Sequence, residues 1–130
     1  MLKVRYFIIS LFFLIVCSCV KDASGVKNIS IEELKTVIEK DKNIQLLDVR
    51  LASEAKKGMI LNAVQVNLIS NKFESNAVNV LDIEKPVYVY CRSGARSKIA
   101  AKILVDRGYD VFNVKGGYRG WLEKNKKGDK

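Results

Sequence analysis

The sequence has no histidine, one proline, one tryptophan and three cysteines in 130 residues. Without imidazole, any catalysis near neutral pH must proceed without the side chain that most often serves as general base. No internal repeat or low-complexity tract interrupts the chain, and no apolar run reaches the roughly 20 residues that a membrane-spanning helix needs. Nucleic-acid recognition motifs and interleaved aromatic and basic residues are also absent, so the net charge of +9 carries no nucleic-acid role. Nothing in the pattern calls for a metal or a cofactor.

What remains is enough for one compact domain with one core, since 48% of the residues are hydrophobic and 28% charged. A monomer is expected. The apolar residues are uneven: residues 6–16 form a run broken only by Ser10, directly after Lys3 and Arg5. That is the length of a secretory h-region rather than of a span. The run ends in Val16-Cys17-Ser18-Cys19, which resembles a bacterial lipobox, with Ser18 as the small residue ahead of a lipidated Cys19. On this reading residues 1–18 are a lipoprotein signal peptide, 19–27 a lipid-anchored tether, 28–124 the domain and 125–130 a basic tail. The expected place is the bacterial cell envelope, with the domain held at the membrane through the lipid and facing the periplasm or the cell surface. A cleaved signal without lipid and an uncleaved anchor are the competing readings. Cleavage before Cys17 is a rival site, but it would place Val16 where a small residue belongs.

Export would leave Cys91 as the only free thiol, because Cys17 departs with the leader and Cys19 becomes a thioether. Loss of Lys3 and Arg5 lowers the net charge from +9 to +7, so the domain stays basic. Lys124, Lys126, Lys127 and Lys130 crowd the tail and read as a solvated end, with contact to an anionic surface or partner as the alternative.

From residue 28 onward strands and helices alternate. Asn28-Ile29-Ser30 reads as a strand, and Ser30 with Glu33 forms a capping-box signature. Ile31, Leu34, Val37 and Ile38 then share a helical face that ends near residues 40–43. Residues 44–49 form a buried strand, 51–57 a short polar helix or turn closed by Gly58, 63–66 a strand and 68–80 a weakly patterned helix. Pro86 opens the clearest strand, Val87-Tyr88-Val89-Tyr90. A glycine-containing loop follows, then a helix marked by Ile99, Ala100, Ile103 and Leu104 and ended by Gly108. Val111-Phe112-Asn113-Val114 supplies the last strand, and Gly116-Gly117-Tyr118-Arg119-Gly120-Trp121 leads into a terminal helix. Such alternation implies an α/β fold with a parallel sheet, in which ligands gather beyond the carboxyl ends of the strands.

Cys91 stands at such an end, in the turn Cys91-Arg92-Ser93-Gly94-Ala95-Arg96 before a helix N-terminus. Unpaired N–H groups and the helix dipole favour an anion there, and Arg92 and Arg96 add positive charge. A thiol with an ordinary pKa of about 8.5 is lowered by such surroundings, which makes Cys91 a nucleophile that needs no histidine. The competing reading is an inert buried cysteine. Two arginines, two serines and a glycine as flanks speak against burial.

With these residues in hand, the sequence resembles the rhodanese-like domain family. The match lies in Leu46-Leu47-Asp48-Val49-Arg50, Glu54, Gly58, the run from Cys91 through Ser97, Gly116-Gly117 and Trp121, and it covers about residues 28 to 124. The resemblance implies a five-stranded parallel sheet with helices on both faces and a cysteine that alternates between thiolate and persulfide. It implies that Cys91 takes sulfur from a small anionic donor such as thiosulfate and yields it to a thiol or cyanide acceptor. The backbone from Arg92 through Ser93, Gly94 and Ala95 to Arg96 would cradle the persulfide, with Arg92 and Arg96 orienting the donor.

The related phosphatase signature has five residues between cysteine and arginine, whereas four separate Cys91 from Arg96. The shorter loop suits sulfur better than phosphate, and Ser97, standing where that arginine would be, is assigned to the helix start. The chain departs from the family's Gly-His-Ile-x-Gly-Ala pattern at Gly58-Met59-Ile60-Leu61-Asn62-Ala63, which points to altered packing or acceptor access. Asp48, Arg50 and Glu54 are read as structural, with Arg50 and Glu54 spaced to pair along a helical turn. Tyr118 and Trp121 are read as packing residues, either of which could line the site's rim. Three functions compete: a sulfurtransferase, a persulfide carrier or redox-partner docking module with little turnover, and, disfavoured by the loop length, a phosphatase or arsenate reductase.

Overall fold

The structure, a computed structural model, describes residues 23–126. The leader, Cys17, Cys19 and the end of the basic tail from Lys127 lie outside the described residues. Strand β1 (Lys27–Ile29) leads into helix α1 (Ile31–Lys40), followed by β2 (Gln45–Asp48), α2 (Ala52–Ala55), β3 (Val64–Gln65), α3 (Phe73–Val80), β4 (Val87–Tyr90), α4 (Ala95–Asp106), β5 (Val111–Val114) and α5 (Gly117–Lys126). The strands form one sheet in the order β1-β5-β4-β2-β3, and every pairing is parallel. The expected five-stranded parallel sheet is the one observed.

The sheet is covered on both faces, which is why all four residues of β4 are buried and its sequence shows no polar alternation. Leu47, Val49, Val87 and Val89 meet Phe73 and Ala77 of α3 and Ala100, Ala101 and Leu104 of α4 on one face. On the other, Leu46, Tyr88 and Tyr90 meet Ile31, Leu34 and Ile38 of α1, with Tyr118 and Trp121 of α5 packed against them. Successive strand residues thus serve opposite cores, as the two-residue period of a strand requires. Ser30 caps α1 reciprocally: its Oγ accepts the Glu33 N–H at 3.1 Å, and Glu33 accepts the Ser30 N–H at 2.7 Å.

Three expectations change. Strand β3 is only two residues long, Val64–Gln65, rather than spanning residues 63–66. Helix α3 starts at Phe73 rather than near residue 68, because Asn67 and Ser70 bond their own backbone: Asn67 Oδ1 accepts the Ile69 N–H at 3.0 Å and Ser70 Oγ the Lys72 N–H at 3.2 Å. Such local bonds compete with a helix. In α4, Ile99 is 59% exposed, and the buried stripe is instead Ser97, Ala100, Ala101 and Leu104. Small residues there let the helix lie close on the sheet.

Because all strands run the same way, their carboxyl ends share one edge. The segments after β2, β4 and β5 carry Arg50, Cys91 and Gly116-Gly117 to that edge. Central β4 delivers Cys91 between its neighbours β2 and β5.

Candidate active site

Cys91 leaves β4 at the last position of the buried run and turns its sulfur under the loop that starts α4. The Gly94 N–H donates to Sγ at 3.1 Å. Gly94 itself has φ 111°, in the region that favours glycine, and this turn bends the backbone over the sulfur. Burial is the largest influence on the thiol and pushes its pKa up. The Ser97 hydroxyl and the N–H groups of Ser97, Gly94 and Ser93 together outweigh it, so the pKa lies below its ordinary value. The polar flanks do not keep Cys91 exposed, contrary to the expectation from its neighbours: the residue is only 1% exposed. The reason is directional, since Arg92 and Ser93 face solvent while the cysteine side chain points inward.

Ser97 is buried on the first turn of α4 and bonds in several directions. Its Oγ donates to the Gly94 carbonyl at 3.1 Å or to Asn113 Oδ1 at 2.7 Å. One hydroxyl proton therefore has three acceptors in reach, counting the Cys91 sulfur. Asn113, on β5, is 4% exposed and passes the chain of bonds toward Asn28 on β1, Nδ2 to Oδ1 at 3.4 Å.

The loop's outer side is clamped by α5. The Tyr118 N–H donates to the Cys91 carbonyl at 2.8 Å and the Arg119 N–H to the Arg92 carbonyl at 3.0 Å. With these carbonyls held outward by a helix N-terminus, the loop's N–H groups are left to face the sulfur. Gly117 makes the approach possible: a Cβ there would sit 2.5 Å from the Cys91 oxygen and 2.7 Å from the Arg92 carbonyl atoms, and its φ is +55°.

A second layer supports the first. Asp48 is fully buried and accepts from Arg50 Nε at 2.9 Å and Nη2 at 2.6 Å, and from the Arg50 N–H at 3.0 Å. The same Nη2 reaches the Gly58 carbonyl at 2.7 Å, and the guanidinium lies 4.2 Å from the Tyr118 ring centroid. Gly58 fits against Tyr118, since a Cβ there would meet its Oη at 2.2 Å. Arg50 and Glu54 do not form the expected helical-turn pair. The buried Asp48 takes Arg50, and Glu54 binds Arg96 through Nη1 at 2.8 Å and Nη2 at 2.9 Å. The Arg96 hydrogen bonds hold the Glu54 carboxyl down to about 2. Arg96 therefore comes to the site with its charge partly matched by Glu54, and it also reaches the Cys91 sulfur, so that both partners raise its pKa.

Beside the loop a cleft of about 470 Å³ is lined by Arg50, Glu54, Lys57, Arg92, Tyr118, Arg119 and Leu122. A cleft of similar volume between β3 and α3, lined by Gln65, Asn67, Ser70, Asn76 and Asn79 among others, lies away from Cys91. Among the described residues no group of three or more histidine, cysteine or acidic side chains is placed to hold a metal.

The structure thus brings together Cys91, Arg92, Ser93, Gly94, Ala95, Arg96 and Ser97 in one loop and helix start, with Asp48 and Arg50 at the flank. Tyr118 lines the cleft, whereas Trp121 packs in the core below Lys35. Sequence reasoning missed Lys57, Asn113 and Arg119. Arg119 had a signal in its place two residues after the double glycine. Asn113, an amide inside a β5 sequence that is otherwise apolar, was a second one.

Comparison with known proteins gives a consistent result. The family profile for the rhodanese-like domain matches residues 30–124. YtwF of Bacillus subtilis, provisionally named a sulfurtransferase, is 38% identical over 103 residues, covering 78% of this chain and 95% of its own. The thiosulfate sulfurtransferase GlpE of Shewanella oneidensis is 30% identical over 103 residues, covering 78% of this chain and 98% of its own. Among solved structures, a rhodanese-like domain protein from Staphylococcus aureus superposes with a TM-score of 0.67 at 32% identity, covering 73% of this chain and 90% of that one.

Proposed function

The chain belongs to the rhodanese-like domain family, and from that premise we propose that it is a sulfurtransferase whose nucleophile is Cys91. The thiolate attacks the outer sulfur of an anionic donor such as thiosulfate. A bond forms between Sγ and that sulfur, the donor's S–S bond breaks with its electron pair, and sulfite leaves. Cyanide or a thiolate then attacks the outer sulfur of the persulfide, and the pair of the breaking bond returns to Sγ. No proton need move to the protein, which fits a chain without histidine.

The observation that carries this reading is the sulfur held under the Gly94 N–H at 3.1 Å with the Ser97 hydroxyl beside it. These groups stabilise the anion both before attack and when it is released as leaving group. Arg92 is exposed at the mouth and attracts the donor, while Arg96, paired with Glu54, shapes the loop more than it supplies net charge. The leader pattern at residues 1–19 extends the proposal to a lipid-anchored, monomeric protein of the bacterial envelope, which mass spectrometry of the mature N-terminus tests. Formation of thiocyanate from thiosulfate and cyanide, lost in Cys91→Ser, is the expected result for the reaction. A wild-type protein that makes no thiocyanate and gains no sulfur by mass spectrometry from any sulfane donor would overturn it. Loading without discharge to any small acceptor would mark a carrier instead.

A further inference from the structure

We propose that the outer face of α4, built on Lys98, Ile99, Lys102 and Ile103, lies against the anionic headgroups of the membrane that holds the lipid-anchored protein. The inference rests on the part of the functional reading that places a lipid on Cys19, and it is independent of the sulfur chemistry at Cys91.

Surface pattern is the first argument. Lys98 and Lys102 form one row along α4 at helical spacing, and Ile99 and Ile103 form the row beside it. Ile99 is 59% exposed, and the two rows, with Ser24 and Asp106, border a groove of about 380 Å³. A helix surface that sets exposed isoleucine beside lysines has the composition of one that lies in a membrane interface. The apolar group enters the headgroup region there, and the ammonium groups meet phosphate. Lys102 is also 3.6 Å from Asp106, in an exposed pair that a phosphate displaces with little penalty. Helix α3 covers the same face of the sheet and exposes Val78. Apart from Arg96, which turns to Glu54, the charges of the two helices and their caps are Lys72, Lys98, Lys102 and Arg107 against Glu74 and Asp106, so the layer is positive.

Tether geometry is the second. Val26 is fully buried in the core beneath α4, and Gly25 passes so close to that helix that a Cβ on it would sit 3.1 Å from Val105 Cγ1. Ser24 lines the groove itself, so the chain enters the domain beside the α4 rows. Five positions separate Ser24 from Cys19. At roughly 3.6 Å per residue they span at most about 18 Å, less than two helix diameters. A lipid on Cys19 thus holds this face near the bilayer at an effective concentration in about the millimolar range, enough to engage contacts too weak to bind a free protein. The other lysine-rich helix lies beyond the sheet: Tyr118 and Trp121 of α5 pack with Tyr88 and Tyr90 on the opposite face, and Lys124 is bound to Glu32. With α4 against the membrane, the cleft walled by Tyr118 and Leu122 stays open to water, so docking leaves the sulfur site accessible.

The test uses the full, lipidated chain reconstituted at low density into vesicles of phosphatidylcholine alone or mixed with phosphatidylglycerol. Lysines are acetylated briefly with a water-soluble reagent and read by mass spectrometry, with the rates at Lys98 and Lys102 taken relative to exposed Lys40 and Lys57 of the same molecules. A lysine beside an anionic surface favours the bound state by about fivefold. On the anionic vesicles Lys98 and Lys102 are therefore expected to react several-fold more slowly than in detergent. High salt, or phosphatidylcholine alone, is expected to remove the protection. Ile99→Asp, at an exposed position, is expected to lose most of it while unfolding at the wild-type midpoint. Equal rates on anionic vesicles and in detergent would overturn the docking face while the anchor stands. So would protection of Lys40 or Lys57 instead, or protection that follows protein density rather than lipid charge, as a second copy of the chain would give. A mature N-terminus that carries no lipid by mass spectrometry would overturn the anchor reading, and this inference with it.

Discussion

Replacing Ser97 by alanine isolates one contribution to the Cys91 thiolate. The hydroxyl is buried, within reach of the sulfur, and attached to the helix that begins at the loop. A hydrogen bond to a charged group contributes about 1.5–3 kcal/mol, and about 1.4 kcal/mol corresponds to one pKa unit. The Ser97 proton is shared with Asn113 Oδ1 at 2.7 Å and the Gly94 carbonyl at 3.1 Å, which places the effect at the low end. The Cys91 pKa is therefore expected to rise, through the loss of about 1.5 kcal/mol of thiolate stabilisation. Well below the pKa, the thiolate fraction falls about tenfold and the rate of alkylation by less, since a more basic thiolate is the better nucleophile. Above it the plateau rate rises modestly for the same reason. Iodoacetamide labelling across pH, read at the Cys91 peptide, gives the curve directly. Ser97→Thr retains the hydroxyl and is expected to keep the wild-type midpoint. The reasoning fails if Ser97→Ala titrates at or below the wild-type pKa.

Two further perturbations test the surroundings of the loop. Glu54 has its pKa lowered from 4.5 to about 2 by Arg96, so the pair's contribution is complete above pH 4.5 and is lost as pH falls toward 2. After allowance for partial exposure of both side chains the loss is about 1–2 kcal/mol, and denaturant unfolding of Glu54→Gln should lack that part of the wild-type decline across this window; an equally steep decline would count against the pair. Leu61 has φ 44°, the one non-glycine residue with positive φ among the described residues, and is 50% exposed. Leu61→Asn, which tolerates this conformation, is expected to stabilise by about 1 kcal/mol and raise Tm by several degrees; a lower Tm would show that the leucine makes contacts outweighing its strain.

What the sequence made legible is local. The buried run at 87–90, the glycine in the loop and the capping box at Ser30 each act within a few residues, and each produced the element expected of it. The parallel sheet followed from alternation, because parallel strands need crossover helices. The misses are of two kinds. Helix α3 lost its first turns to side chains of Asn67 and Ser70, a competition that a hydrophobic pattern does not register. The exposed Ile99 misled because an apolar residue at helical spacing does not reveal which side of the helix the sheet accepts, and here alanines set the close face.

The site shows the same division at longer range. The loop could be read as an anion cradle from its own residues, but the assignment of charge inside it depended on partners distant in sequence. Glu54 lies 42 positions from Arg96, and the two helix amides that turn the loop's carbonyls outward belong to α5. Once Arg96 is matched by Glu54, and Arg50 by Asp48, two of the arginines nearest the loop no longer supply free positive charge. The positive field that a charged substrate would meet is then carried by Arg92 with Lys57 and Arg119, away from the sulfur and toward the cleft. This separates two tasks within a few ångströms. Backbone N–H groups, one hydroxyl and the Glu54-bound Arg96 stabilise the thiolate whatever the substrate, while exposed cations select what approaches it. Substitutions in the first set should therefore move the Cys91 pKa, and substitutions in the second should change the preference among acceptors while leaving that pKa where it is.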